Sequence, residues 1–456
     1  MTGGTSFEYL DRHARETPDR IAVTGQRGQI DWARFRADAG RAAQALQGLG
    51  AQPGQIAVIS HPDPYLHWVL AIACDAVGIV SASLGPGDAD EKQLRDLADL
   101  VLSEESLAGH WAEGELRRRP PDPDAPVRII RTSGSTGMPK CLILTRRMLD
   151  HWVDSTIALS FRGQAPRYYS AYPLTVNPNH YRMEACLRLG GTVILGQASQ
   201  DLVTFEATDC WLLPRDMATL LQSVQGGWPS PRPLHMNLGG GPVSAELHDA
   251  TAALFGTEVT ILYGINEAGR ISVADREGVH RLLPDVDLRI VDESGRDLPT
   301  GETGRIVVRT SGTGSGYLND PEASAEHFRD GWFFTEDIGV RLADGRLRIV
   351  GRRSEVINLG GVKISPFPME QKLRAAIPAL REVVVTSIHG AQGFEEICIA
   401  VVPDPAADRS ALVAAIQAEI DPSIGRVWLR LFERLPVGAS GKIQRAALRD
   451  IFAAVR

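Results

Sequence analysis

Nine residues, Thr132 to Lys140, read TSGSTGMPK and stand between two short apolar runs, Val127 to Ile130 and Cys141 to Leu144. Runs of this kind suit strands, so the intervening loop is pinned at both ends. Its two glycines, four hydroxyl residues and terminal lysine offer a polyphosphate backbone N–H groups, hydroxyl donors and a cation. The common phosphate loop has Gly and Lys adjacent and a Ser or Thr next, whereas here Met138 and Pro139 separate Gly137 from Lys140, which makes this a different grip. A Ser/Thr/Gly-rich loop between strands is commonly only a turn. The rest of the chain has to decide.

With 456 residues and 43% apolar content, the chain can bury a large core and should divide into domains. A net charge of -8 argues against nucleic acid or an anionic membrane as the main partner, because either favours a basic face. Cys74, Cys141, Cys186, Cys210 and Cys398 have no C-x-x-C spacing and fit a reducing cytoplasm rather than a disulfide framework or a zinc site. The N-terminus, MTGGTSFEYLDRHARETPDR, lacks the apolar core of a secretory signal, so a cytoplasmic location is expected. Trp68 to Leu84 is the most apolar stretch, but Asp75 and Gly78 interrupt it. It is too short for a membrane span and reads as a buried helix running into a strand.

Helix-spaced apolar residues from Phe7 to Leu49 surround a strand at Ile21 to Val23, and a β run follows at Gln55 to Ile59. Strand and helix alternate, which predicts α/β layers. Arg117 to Pro126, RRRPPDPDAP, reads as an exposed connection, and Arg146 to Leu159 as an amphipathic helix. Further strands are expected at Thr192 to Leu195, Cys210 to Leu213 and Thr260 to Leu262. From Asp285 to Val350 the runs VDLRIV, GRIVVRT and GRLRIVG, parted by Gly- and Asp-rich turns, predict an antiparallel β unit. Beyond Arg352 the pattern is mixed: helices at Pro368 to Ala376 and Arg409 to Ile420, strands at Val383 to Ser387 and Ile397 to Val402. The expected organisation is a large domain at 1–351, a hinge at 352–354 and a small mobile α+β domain at 355–456.

Seven stretches occur in one order: TSGSTGMPK, GGGPVSAEL at Gly239, YGINEAG at Tyr263, GYLNDPEASAEHF at Gly316, DGWFFTEDIG at Asp330, GRLRIVGRRSEVINLGGVKISP at Gly345 and LPVGASGKIQR at Leu435. Together they resemble the AMP-forming adenylate ligases, which include acyl- and aryl-CoA synthetases, stand-alone adenylation domains and luciferases. The likeness spans nearly the whole chain. It implies that a carboxylate attacks the α-phosphate of ATP, pyrophosphate leaves, and the acyl group passes to a thiol. Such a reaction brings charge onto an anionic centre, so cations and oriented dipoles are needed there.

The resemblance assigns roles residue by residue. Thr132, Ser133, Gly134, Ser135, Thr136, Gly137 and Lys140 would hold the β- and γ-phosphates. Glu267, with Thr136, would hold Mg²⁺, a hard cation that takes oxygen ligands. Gly239, Gly240, Gly241, Pro242 and Gly264 would let the backbone approach the adenine on which Tyr263 stacks, with Asn266 beside it. Asp337 would accept the ribose hydroxyls, and Arg352 would reach the nucleotide. Lys442 matches the lysine that bridges the attacking carboxylate and the α-phosphate. It would act as an electrostatic stabiliser, since a carboxylate needs no deprotonation at pH 7.

Several positions depart from the family pattern. Ser135 stands for Thr, Cys141 for Gly, Asn266 for Thr, Glu336 for Gly beside the ribose site, and Ser354 for Asp or Lys at the hinge. None removes a charge that the chemistry needs. The acyl-binding stretch, YPLTVNPNHYRMEACLRLGG from Tyr172 to Gly191, replaces the family's frequent His or Asp by Val176 or Asn177, depending on register. Without an Asp it lacks a counter-charge for an α-ammonium. Asn177, His180, Gly239, Gly264 and Ala268 are the expected pocket, a flat slot suited to a small aromatic acid.

The acceptor would be CoA or the phosphopantetheine of a separate carrier protein, a nitrogen nucleophile and a non-catalytic nucleotide-binding role being the alternatives. The sequence leaves the oligomeric state open. Lys442→Ala is expected to abolish pyrophosphate release while largely sparing thiol transfer from a supplied acyl-adenylate, as the two half-reactions assayed separately would show; equal loss of both would refute a lysine confined to the first step.

Overall fold

The apolar runs flanking the TSGSTGMPK loop form the strands Pro126–Thr132 and Lys140–Thr145, paired antiparallel with Thr132 opposite Lys140. The computed structural model describes residues 4–85, 91–107, 111, 118–132, 140–161, 165–196, 201–224, 228, 233–318, 320–359, 362–390, 395–421, 424, 426–438 and 443–454. Two compact units emerge, Met1–Leu288 with Val308–Phe334, and Arg289–Val307 with Thr335–Arg456.

In the first unit the loop strands belong to a six-stranded sheet, ordered Tyr317–Leu318, Lys140–Thr145, Pro126–Thr132, Val80–Ser83, Ile56–Ile59 and Leu100–Leu102. The last four run parallel, and the strand at the loop's far side closes the series antiparallel. A second sheet runs from the hairpin Ile21–Gly25 and Gly28–Asp31 through Thr192–Leu195, Arg167–Ser170, Asp209–Leu212, His235–Gly239 and Val259–Ile265. Gly269–Ala274 and Val279–Leu282 extend it antiparallel. The central parallel strands, TVIL and DCWL, are buried at every residue, which is why they read as continuous apolar runs.

Helices cover these sheets. Pro64–Val77 starts at the cap Asp63 with proline in the first turn, and Gly78 ends it in the left-handed region at φ 79, where a side chain would be strained. Phe7, Leu10, Trp32, Phe35, Trp68 and Met183 lie in one continuous core. Arg146 and Arg188 are buried too, each against a carboxylate, Asp75 and Asp150.

The second unit is α+β. Its antiparallel strands include the pair that sets Asp337 opposite Arg352. A separate sheet joins Leu380–His389, Glu395–Pro403 and Val427–Leu431, the first two antiparallel and the last parallel. Val383 and Val385 face one cluster with Leu373 and Ile416, while Val384 faces another with Leu448 and Phe452. Helices on both faces bury both, so the sequence there does not alternate.

The expected α/β layers, β unit and α+β C-terminal region are all present. Among the elements not anticipated, the strand at Ile21–Gly25 doubles back as Gly28–Asp31, because Gly28 at φ 79 supplies a turn that periodicity cannot show. Trp68 is fully buried, packs 4.9 Å from the Phe35 ring and donates to Glu184 at 3.1 Å. Trp68→Ala is expected to cost about 3–5 kcal/mol, measurable as a lowered urea midpoint by circular dichroism.

Candidate active site

The site is built where three segments of the first unit meet beside Thr132 and Lys140. Tyr317, on the edge strand Tyr317–Leu318, pairs opposite Leu142 on the neighbouring strand. Its ring lies 5.0 Å from Lys140 Nζ, and its hydroxyl donates to Glu267 Oε1 at 3.0 Å. Thr132 also hydrogen-bonds to this carboxylate. Lys140, Thr132 and Glu267 are therefore brought together around a tyrosine that sequence reading leaves unassigned. Tyr317 stands in the GYLNDPEASAEHF motif, whose pattern alone gives the phenol no role.

Glu267 sits in the turn between Val259–Ile265 and Gly269–Ala274. Gly314 N–H donates to its carbonyl at 2.8 Å, and the Thr310 hydroxyl to the carbonyl of Ala268 at 2.7 Å. The turn requires Gly264, since a Cβ there would come within 2.7 Å of the Gly269 carbonyl. Asn266 donates to the carbonyl of Arg131 at 3.3 Å, and Asn177 donates to Asn266 at 3.2 Å. So Asn177, Asn266, Glu267, Thr132 and Lys140 form one constellation. The remaining oxygen of Asn177 is buried and has no partner.

Burial pushes the Glu267 carboxyl above its ordinary value, against the opposing hydrogen bonds from Tyr317 and Thr132. It forms no ion pair among the described residues. A buried carboxylate met only by neutral donors fits a hard divalent cation, and Glu267 with Thr132 offers the oxygens for one.

The other expected residues fall as follows. Gly239 ends the strand His235–Gly239, Gly240 turns the chain at φ 82, and Gly241 and Pro242 are exposed before the helix Ala245–Phe255. Tyr263 meets His280 edge to face at 5.8 Å. His180 is buried, and its ring is kept neutral by desolvation and by the nearby Arg128 charge. Arg128 in turn donates to the Ser83 hydroxyl and the Leu174 carbonyl, both at 2.8 Å, tying the loop's incoming strand to the acyl-binding stretch.

In the second unit, Arg352 donates to Asp337 at 3.1 Å. Glu336, the unusual carboxylate beside them, lies 3.6 Å from Arg305 and 3.7 Å from Arg353. Its extra charge is offset locally. Ser133, Gly134, Ser135, Thr136, Gly137 and Lys442 lie outside the described residues.

A family model for AMP-binding enzymes matches residues 88–318. The chain belongs to that family, the AMP-forming adenylate ligases. This adenylate-forming enzyme is 26% identical to an indoleacetate–CoA ligase of Aromatoleum aromaticum, over 98% of both chains. It is 30% identical to a sulfoacetate–CoA ligase of Cupriavidus necator, over 72% of this chain and 68% of the relative. Among solved structures, it matches the amide bond synthetase McbA of Marinactinospora thermotolerans at 25% identity and a TM-score of 0.82, over 98% of this chain and 99% of that one.

Because Glu267 holds its proton more tightly in the folded enzyme than in the unfolded chain, its contribution to stability is present below the ordinary glutamate pKa and lost as pH rises through the raised value. Glu267→Gln is therefore expected to raise Tm above the wild type at pH 8 and to converge with it near pH 4, in thermal melts run without divalent cations. A lower Tm for the variant at pH 8 would contradict a destabilising buried charge.

Proposed function

We propose that this ligase joins a small carboxylic acid, aromatic or of similar flat shape, to ATP, expels pyrophosphate and transfers the acyl group to a thiol, either CoA or a carrier-protein phosphopantetheine. The observation that carries the reading is the contact of Lys140, Tyr317, Thr132 and Glu267 at the two ends of the phosphate-type loop.

Lys140 supplies positive charge where pyrophosphate departs, and Tyr317 holds the lysine and the carboxylate in fixed relation. Mg²⁺, held by Glu267 and Thr136, supplies charge neutralisation of the phosphate oxygens when bound. Asp337 takes the ribose hydroxyls, positioned by Arg352. Lys442 reaches the α-phosphate from the domain at 355–456, with residues 352–354 as the hinge, and its approach excludes water from the adenylate. Gly239 and Gly264 keep the slot flat, and the aromatic pair Tyr172 and Trp211, with ring centroids 5.1 Å apart, suits a planar acid.

A second reading, transfer to a nitrogen nucleophile, is favoured by the likeness to an amide bond synthetase. Retention of the charged groups disfavours a non-catalytic, nucleotide-binding role. The deciding measurement is pyrophosphate release with ATP and Mg²⁺ across benzoates, cinnamates, short acids and α-amino acids, each with and without CoA. Release restricted to small non-amino acids and hastened by CoA is the expected result. Release indifferent to CoA but hastened by amines would establish the nitrogen acceptor, and silence across the panel despite ATP binding would leave an acid outside the panel or the non-catalytic role.

A further inference from the structure

The buried arginines of the first unit divide into two kinds. Arg146 and Arg188 each meet a carboxylate. Arg128, Arg182 and Arg270 are as deeply buried, 3%, 2% and 3% exposed, yet none forms an ion pair among the described residues; Arg128 is held by the Ser83 hydroxyl and the Leu174 carbonyl. Arg182 Nη1 donates to the Pro178 carbonyl and Arg270 Nη1 to the Ser160 hydroxyl, both at 2.8 Å, and both guanidiniums also bear on the Tyr181 phenol. Nε of Arg182 and both Nε and Nη2 of Arg270 are buried without any acceptor.

The two guanidiniums flank one ring. Arg182 lies 5.2 Å and Arg270 5.6 Å from the Tyr181 ring centroid, and Arg182 also stacks 4.7 Å from Trp211. Burial and the neighbouring Arg182 charge lower the Arg270 pKa to about 9, and burial, which would raise the Tyr181 phenol, is outweighed by the two guanidiniums. Even with Tyr181 ionised the three groups would carry an excess positive charge. Two desolvated cations with no counter-charge are costly to fold around, and the free N–H groups are set to receive acceptor oxygens.

Both arginines stand on segments that begin at the adenylation constellation. Arg270 is three residues beyond Glu267, across the strand pair from Gly264. Tyr181 and Arg182 lie about one helical turn, roughly 5.4 Å, along the helix Asn177–Arg188 from Asn177, which contacts Asn266. The arginine pair therefore lies on the same two segments as Asn177 and Glu267, a few residues from each.

We propose that the acid activated by this ligase is dianionic, carrying a second carboxylate or a sulfonate that is bound by Arg270 and Arg182. This rests on the adenylation reading above and narrows it. The second group contributes no bonds to the reaction; it orients the substrate and supplies the charge that the arginines lack.

The test compares pyrophosphate release with matched acids: terephthalate and its monomethyl ester, succinate and its monomethyl ester, and 3-sulfobenzoate and 3-(methylsulfonyl)benzoate. The wild type is expected to favour at least one dianion over its monoanionic counterpart by about 100-fold in kcat/KM. The pair in which the preference appears identifies carboxylate or sulfonate. Arg270→Gln should bring that ratio close to unity and Arg270→Lys should recover part of it. The preferred dianion alone should raise the Tm of the wild type and not of Arg270→Gln, whose own melting shows whether it is folded.

Monoanionic acids used as well as their dianionic partners would overturn the assignment while leaving adenylation intact. So would an Arg270→Gln variant that is folded and slows both members of a pair equally. Silence with every acid by a chain that still binds ATP would overturn the adenylation reading and this inference with it.

Discussion

Thr132 and Lys140 stand opposite each other across one antiparallel strand pair, and the site depends on that register. A slip of a single residue would turn Thr132 to the other face of the sheet and away from Glu267. The pairing is secured on its inner side by Arg128, four residues before Thr132 and on the same face, through its bonds to Ser83 and Leu174. On its outer side the short strand at Tyr317 covers the edge and brings the phenol to Glu267. Loop ends, carboxylate and cation are thus fixed by sheet geometry rather than by the loop.

Much of this was readable in advance. Strands such as Thr192–Leu195 and the helices Pro64–Val77 and Arg146–Ser160 follow from apolar runs and periodicity, because local burial pattern dictates them. The constellation of Thr132, Lys140, Asn266 and Glu267 was legible only through ordered motifs, since each residue alone is ordinary. Tyr317 could not be assigned from pattern because its partner, Glu267, is fifty residues away and the contact is made by sheet pairing. Arg182 and Arg270 were missed for a related reason. An arginine in a sequence reads as a solvated charge, and only the fold reveals that these two are enclosed.

The treatment of buried charge separates scaffold from site. Arg146 and Arg188 are neutralised within the fold by Asp75 and Asp150, and Glu184 receives donors from Ser6 and Trp68. Glu267, though like Glu184 it accepts from neutral donors, and the pair Arg182 and Arg270 meet no opposite formal charge among the described residues and lie on neighbouring segments. One is a lone anion, the other an excess of cation. Uncompensated groups of opposite sign at the two ends of one region are poorly suited to holding a protein together and well suited to orienting a guest between them.

The first unit is discontinuous along the chain, leaving at Leu288 and returning at Val308. The strand that supplies Tyr317 comes from the returning segment. During synthesis from the N-terminus, the pocket's carboxylate is therefore made long before the phenol that steadies it, and until then the Lys140–Thr145 strand has an open edge of unpaired backbone groups. A nascent chain halted before the return lacks the phenol that links Lys140 to Glu267. Order of manufacture, as well as chemistry, decides when this enzyme first becomes competent.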